Sequence, residues 1–133
     1  MTDRVRDAMV VDPPQLGGSE TAQAAGEALA RPEVRAIFVC DEGRLLGVVT
    51  RKTLVREVVA AGRDPRATEL REIAEDPLNT IDADLPLDEA FRFLEERDLE
   101  RVPVLEDEKL VGVVSRAVLQ RRLAEDEPVD EAF

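Results

Sequence analysis

The sequence has no histidine, tryptophan or tyrosine, and it has one cysteine. Without histidine, the most common general base and the most common metal ligand are both missing, which argues against an enzyme. The single Cys40 excludes an internal disulfide and any site built from several thiolates. We therefore predict no catalytic residue and no metal. For Cys40, a small buried hydrophobic residue is favoured over a reactive thiol.

Long hydrophobic runs are also missing. No stretch approaches the roughly eighteen apolar residues that a membrane span needs, and the N-terminus has no apolar signal region. We expect a cytoplasmic protein with no membrane partner. The chain of 133 residues suggests one compact domain. Two independent halves would each bury too little surface, so we expect them to share one core.

Basic residues are outnumbered, with 18 Lys and Arg against 30 Asp and Glu, for a net charge of −12. Residues 66–133 carry −11 of this, from 20 acidic and 9 basic groups. A surface this acidic repels a phosphate backbone, so we expect no nucleic-acid partner.

What the sequence does have is an internal repeat. The octet Gly47–Leu54 recurs as Gly112–Leu119 with five identities, and Thr50 is matched by Ser115. The same offset of sixty-five aligns residues over more than fifty positions without a gap. A repeat of this kind indicates one supersecondary unit, duplicated. We place the first copy at residues 1–62, a linker at 63–68, the second copy at 69–124 and an acidic tail at 125–133.

Each copy reads as a helical turn, a short strand, an amphipathic helix, two strands joined by a tight turn, and a final helix. The first-copy helix is expected from Ser19 and the final helix over Thr53–Ala61. Pro103 cannot donate to a sheet, so its strand should be at an edge or face a cavity there. The apolar stripe of the second-copy helix is Leu87, Ala90, Phe91 and Leu94; in the first copy it is Ala22, Ala25, Gly26 and Leu29. Those small residues suit either a packing or dimer surface or an ordinary core face.

This combination resembles the cystathionine-β-synthase (CBS) domain. The resemblance rests on the strand Val102-Pro103-Val104, the acidic hairpin after it, and the Gly-Val-Val-Thr/Ser octets opening a helix. Two copies in tandem are similar to a Bateman module. The resemblance implies an α+β fold, in which two β-α-β-β-α motifs pack by pseudo-twofold symmetry into one compact domain, and commonly a homodimer.

The resemblance also implies ligand sensing. Bateman modules bind AMP, ADP, ATP or S-adenosylmethionine in clefts between their sheets and signal to an effector protein. In the family pattern Gly-h-h-Thr/Ser-x-x-Asp, where h is hydrophobic, the hydroxyl maps to Thr50 and Ser115. The ribose-binding Asp maps to Thr53 and Val118, so both acids are missing. That loss should cost about 1.5–3 kcal/mol of binding. Thr53 can still offer one neutral bond, which makes the first copy the better candidate.

Three further points concern the candidate ligand site. Phe38 would stack on an adenine or fill the cleft, and filling is favoured. Arg51 and Arg116 occupy equal slots and would bind an anion, unless they belong to a solvated helix face. The candidate ligand-binding residues are Leu16, Ile37, Phe38, Thr50, Arg51, Thr53, Ile81, Val102, Pro103, Ser115 and Arg116.

Two functions remain open. The first is a stand-alone regulatory sensor that binds an adenosyl-type or other small anionic ligand and signals to an unknown partner; no cofactor is required. The second is a constitutive dimeric interaction module that has lost nucleotide binding, which the missing acids would favour.

Overall fold

The computed structural model describes residues 3–77 and 79–126. In the first half, a 3-10 turn at Val5–Asp7 is followed by β1 (Val10–Val11), β2 (Gln15–Leu16), α1 (Ala22–Leu29), β3 (Ile37–Asp41), β4 (Arg44–Val49), α2 (Arg51–Leu54) and a π-helix (Val55–Val59). The second half contains α3 (Leu70–Ile73), β5 (Ile81–Asp82), α4 (Leu87–Glu96), β6 (Arg101–Glu106), β7 (Lys109–Ser115) and α5 (Arg116–Asp126). The predicted α+β fold is confirmed.

The chain divides into two compact units whose boundaries differ from those of the sequence repeat. Unit A holds the described parts of residues 12–78 and 107–110. Unit B holds the described parts of residues 1–11, 79–106 and 111–133. The first segment of each copy therefore belongs to the unit that the other copy mainly builds: residues 1–11 to unit B, and residues 69–78 to unit A. We call the described parts of these two ranges the exchanged segments. Residues 127–133 of the predicted tail lie outside the described residues.

Both units have the same strand topology. In unit A, β2 is parallel to β3 with Leu16 opposite Val39, and β3 is antiparallel to β4. In unit B, β5 is parallel to β6 with Ile81 opposite Val104, and β6 lies beside β7. These two registers are related by the offset of sixty-five found in the sequence. The duplication is thus reproduced at the level of individual residue pairs.

The exchanged segments cross the second strand of each hairpin. In unit A, Glu75 bridges Val48 in antiparallel fashion through two backbone hydrogen bonds of 2.9 Å. In unit B, β1 is antiparallel to β7, with Val10 opposite Val113. These pairings are also related by sixty-five positions. The equivalent slots, 10 and 75, are each filled by a residue from the other repeat copy.

Most buried apolar side chains form two clusters, one in each unit, and not the one shared core that the chain length predicts. The exchanged segments complete both of them: Leu70 and Ile73 are buried in the unit A cluster, and Val5 is buried in the unit B cluster. The remaining members of the unit A cluster are Ala22, Ala25, Leu29, Ile37, Val39, Val49 and Val58. The remaining members of the unit B cluster are Ile81, Ala83, Leu87, Ala90, Leu94, Val102, Val104, Val114 and Leu119.

The long helices bury the predicted stripes. Leu87, Ala90 and Leu94 of α4 are fully buried, while Phe91 is partly buried against the same cluster. In the first copy Ala22, Ala25 and Leu29 are buried. Helix α1 begins at Ala22 and not near Ser19, because the Thr21 side chain accepts a hydrogen bond from the Ala24 N–H (3.1 Å) and caps the helix there.

The final helix of the first copy is not the single helix expected over Thr53–Ala61. It starts earlier, at Arg51, because the Thr50 side chain caps it, and it changes to a π-helix at Val55. Pro103 does not lie on an edge strand, since β6 runs between β5 and β7. However, β5 is so short that its register with β6 starts at Val104. Among the described residues, no helix is long and apolar enough to cross a membrane.

The glycines of the repeated octet stand where the exchanged segments cross. A Cβ on Gly47 would lie 2.7 Å from the Glu75 carbonyl oxygen and 2.8 Å from the Ala74 Cβ. A Cβ on Gly112 would lie 2.8 Å from the Val10 carbonyl oxygen and 2.7 Å from the Met9 sulfur. Backbone atoms cannot move aside as a flexible side chain does. Glycine is therefore required here for close packing, at both equivalent positions.

We expect Gly47→Ala to destabilise the protein by about 1–3 kcal/mol, since it overpacks a backbone crossing. Gly26→Ala is the matched control: its Cβ would meet only Leu54 Cδ1, at 3.8 Å, inside helix α1. That change should stabilise by about 0.5–1 kcal/mol, through the helix preference of alanine. Urea denaturation of both variants measures the difference. Equal stability of the two variants would show that the crossing tolerates a side chain.

A second prediction concerns Cys40 in β3, which is 7% exposed. Burial raises the pKa of the Cys40 thiol, and the charge of Asp41 raises it further. Since only the thiolate reacts, native Cys40 should react with dithionitrobenzoate far more slowly than the same thiol in guanidinium chloride. A thiol titration by absorbance tests this. Equal native and denatured rates would mean that Cys40 is accessible.

Candidate functional site

Thr50 and Ser115, the hydroxyl residues of the two octets, lie at equivalent positions immediately before α2 and α5. We call Thr50, Thr53, Arg56 and Glu75 the first-copy corner, in unit A. Its counterpart at the same repeat positions is the second-copy corner in unit B, formed by Ser115, Val118, Arg121 and Val10. The sequence favours the first-copy corner as the ligand site, because Thr53 can offer a hydrogen bond and Val118 cannot.

At the first-copy corner the two threonines bond to each other. The Thr50 N–H donates to Thr53 Oγ1 (3.0 Å), the Thr53 N–H donates to Thr50 Oγ1 (3.3 Å), and the two hydroxyl oxygens are 3.1 Å apart. This reciprocal capping box fixes the start of α2. Thr53 is 0% exposed. Its hydroxyl is a structural group in this arrangement.

The Glu75 carboxylate closes the same corner. Its Oε1 accepts a hydrogen bond from the Thr53 hydroxyl (3.3 Å) and another from the Arg56 guanidinium. A carboxylate therefore stands beside Thr53, although the sequence motif has no acid there. It reaches the corner from the exchanged segment. The octet does not predict this carboxylate, because the offset of sixty-five aligns Glu75 with Val10.

The equal arginines Arg51 and Arg116 are held differently. The Arg51 guanidinium donates to two backbone carbonyls, those of Arg31 (2.7 Å) and Val34 (2.8 Å). Within residues 3–77 and 79–126, the Arg116 guanidinium pairs with one group, the Asp98 carboxylate, at 3.5 Å. The Asp98 side chain is 95% exposed, so this ion pair contributes little. Arg51 thus stabilises the loop after α1 through two hydrogen bonds, whereas the Arg116 side chain is held by a weak ion pair.

A cavity of about 280 Å³ lies at the start of α5, inside unit B. The Ser115 hydroxyl at its wall accepts a hydrogen bond from the Val118 N–H (3.2 Å). The Arg116 N–H donates to the carbonyl of Glu100, the residue before β6 (2.8 Å), and so links the start of α5 to the start of β6. The cavity is lined by Glu100, Arg101, Ser115, Arg116, Ala117 and Gln120.

Of the predicted ligand-binding residues, the cavity brings together Ser115 and Arg116. Ile37, Ile81 and Val102 are core residues of their own units. Phe38 is buried and its N–H donates to the Pro14 carbonyl (3.0 Å). Leu16 packs against the unit A core, and Pro103 is partly buried in β6. Their assignment to a ligand site stays a prediction.

Sequence reasoning did not single out four residues that line the cavity. These are Glu100 and Arg101 at the start of β6, and Ala117 and Gln120 in the first turns of α5. The signal available for them was positional: Arg101 opens a predicted strand, and Ala117 and Gln120 lie within a helical turn of Arg116. The polar lining offers two cations, one carboxylate, one hydroxyl and one amide.

The protein-family comparison matches the CBS domain twice, at residues 5–60 and 70–125. Hypoxic response protein 1 of Mycobacterium tuberculosis is 34% identical over 121 residues, which are 90% of this chain and 85% of that protein. The CBS domain-containing protein YhcV of Bacillus subtilis is 26% identical over 111 residues, covering 84% of this chain and 79% of that protein.

Solved structures agree with this assignment. A crystal structure of Hypoxic Response Protein I with two coordinated zinc ions has a TM-score of 0.77 at 32% identity, covering 90% of this chain and 98% of that one. The CBS domain pair of protein MJ0100, in complex with 5′-methylthioadenosine and S-adenosyl-L-methionine, has a TM-score of 0.69 at 20% identity and covers 96% of this chain and 100% of that one. The latter shows the fold alone. The resemblance noted in the sequence is confirmed: this chain belongs to the CBS-domain family and carries two CBS domains in tandem.

Proposed function

We propose that this chain is a regulatory sensor that binds a small anionic ligand of the adenosyl type in the cavity beside Ser115 and Arg116. The observation that carries the proposal is the cavity itself, whose lining matches the groups of such a ligand. Occupancy would be passed to an effector protein. The chain's own residues provide recognition only, and no step of chemistry is required of them.

The lining supports this ligand class. The two guanidinium groups of Arg101 and Arg116 suit a phosphate or carboxylate, to which arginine binds in a bidentate manner. The Glu100 carboxylate suits the paired hydroxyls of a ribose, as the family's missing aspartate would. The volume of about 280 Å³ is close to the lower limit for small-molecule pockets. A nucleotide-sized ligand would therefore be partly exposed to solvent.

The behaviour of Arg116 is the second support. Its side chain is 30% exposed, and its one partner in the described part of the chain is the exposed Asp98, so a ligand anion can replace that partner at small cost. Arg51, in the equal slot, would have to give up its hydrogen bonds to two backbone carbonyls. This reverses the preference for the first copy that the sequence suggested, because Thr53 and Arg51 already have partners within the protein.

The relatives hold either an adenosyl ligand or a metal, and the residues of this chain favour the former. The MJ0100 domain pair holds 5′-methylthioadenosine and S-adenosyl-L-methionine, and Hypoxic Response Protein I holds two zinc ions. The donor set here does not fit zinc. The chain has no histidine and one cysteine, and among the described residues no three potential ligands come together. We therefore derive no role for a metal.

A second candidate function is an interaction module that self-associates through a groove in unit A. The groove, of about 430 Å³, is lined mainly by small and apolar side chains of α1, α2 and the π-helix. Val59 at its rim is 73% exposed. Hexameric CBS-CP12 protein, with a TM-score of 0.66 at 22% identity, is an oligomer of this fold. A homodimer through this groove would fit the predicted small-residue face of α1.

The sensor proposal is tested by thermal unfolding with AMP, ADP, ATP, S-adenosylmethionine and NAD, each against a control of equal ionic strength. A ligand that binds only the native state stabilises it by about 2.7 kcal/mol at one hundred times its dissociation constant, which is several degrees for a chain of this size. Arg116→Gln should abolish the shift. Arg121→Gln, an equal change of charge at an exposed position of α5, should preserve it. No shift with any of the five compounds would contradict an adenosyl ligand.

The self-association proposal is tested by light scattering after size exclusion. The wild-type protein should have the mass of a dimer, and Val59→Asp should have the mass of a monomer, because a charge would have to be buried in an apolar groove. Val10→Asp, also at an exposed valine but in unit B, is the control and should remain a dimer. A monomeric wild-type protein would contradict this candidate.

A further inference from the structure

The first-copy corner of unit A brings two hydrogen-bond donors to one carboxylate oxygen. Thr53 is 0% exposed, and its hydroxyl donates to Glu75 Oε1 at 3.3 Å. The Arg56 guanidinium donates to the same oxygen. A hydroxyl and a guanidinium that converge on one oxyanion are the donors that phosphate and carboxylate ligands require. Here the oxyanion belongs to the protein.

The segment that carries Glu75 is held by its backbone, and the Glu75 side chain adds a further link to Thr53 and Arg56. The segment is fixed by the two backbone hydrogen bonds between Glu75 and Val48, both 2.9 Å. In unit B the equivalent slot is Val10, which pairs with Val113 in the same way without a carboxylate. The fold therefore accepts either residue at this slot. What the carboxylate adds is an acceptor for Thr53 and Arg56.

One further slot of the corner differs in the same direction. Thr53 corresponds to Val118, while Arg56 corresponds to another arginine, Arg121. Val118 has no hydroxyl to place beside an anion, and Val10 has no carboxylate. The buried hydroxyl and the carboxylate thus occur together at the first-copy corner and are both missing from the second-copy corner. The reciprocal capping box of Thr50 and Thr53 also has no equivalent there, since Val118 can return no hydrogen bond to Ser115.

We propose that the first-copy corner is an oxyanion site whose resident occupant is the chain's own Glu75 carboxylate. An external phosphate or carboxylate binds there only by displacing Glu75 from Arg56 and Thr53. A tethered group competes at an effective concentration in the millimolar range or above. The apparent affinity for an external anion is reduced by the fraction of molecules in which the tethered group is bound. This corner is therefore closed to ligand under ordinary conditions, independently of the cavity beside Ser115.

The experiment removes the resident occupant and asks whether an external anion replaces it. All variants carry Arg116→Gln, so that binding in the unit B cavity does not contribute. In that background, Glu75→Ala opens the corner. Glu57→Ala removes a charge from the exposed residue next to Arg56 and is the matched control. Inorganic phosphate is the probe, titrated against chloride at constant ionic strength, with binding followed by calorimetry and by thermal unfolding.

We expect Glu75→Ala to bind phosphate about tenfold or more tightly than the Glu57→Ala control, because Arg56 and Thr53 lose the tethered carboxylate that competes for them. The melting temperature should rise with phosphate by more than it does in the control, which corrects for the general stabilisation by phosphate. Adding Arg56→Gln should remove the gain. Should Glu75→Ala not fold, Glu75→Gln keeps the shape, removes the charge and should still bind phosphate more tightly than the control.

A Glu75 variant that binds phosphate no better than Glu57→Ala would overturn the proposal. So would a gain that survives Arg56→Gln, since the anion would then lie elsewhere. The result is independent of the sensor proposal. That proposal fails if the wild-type protein shows no response to adenosyl compounds, whatever Glu75→Ala does.

Discussion

The structure depends on one close backbone crossing, made twice. At Gly47 and again at Gly112, a segment from the other repeat copy passes so near that no Cβ fits between them. The segments that cross also complete the cores, since Leu70 and Ile73 are buried in unit A and Val5 in unit B. A single copy would lose both its crossing strand and part of its core, and so short a chain has little burial to lose. The exchange explains why the repeat occurs as a pair.

At each crossing, the side chain of the crossing residue can differ without loss of the backbone pairing. Slots 10 and 75 are held by backbone hydrogen bonds, which any residue except proline can make. After a duplication, such a slot can acquire a new side chain without a cost to the fold. In this chain one slot is a valine and the other a glutamate that reaches Thr53 and Arg56. The two corners differ because of this slot as much as because of the octets themselves.

The sequence predicted the local features well, because they depend on local patterns. The strands, the hairpins and the buried stripes of α1 and α4 follow from periodicity and turn residues, and the repeat aligned them twice. It did not predict the exchange, because an offset without gaps relates two copies but does not say which unit the first segment of each copy packs on. The expectation of one shared core failed for this reason. Two smaller errors have local causes: the Thr21 and Thr50 hydroxyls cap the helices at points that the apolar pattern does not mark.

The candidate site shows a different limit of sequence reasoning. As contacts to a ligand, Thr53 can offer a hydrogen bond and Val118 cannot, so the sequence favours the first copy. The sequence does not show that Thr53 already bonds to Glu75, or that Arg51 already bonds to two backbone carbonyls. A residue is available to a ligand only when its bonds to the protein cost little to break, and Arg116, paired with an exposed carboxylate, meets that condition.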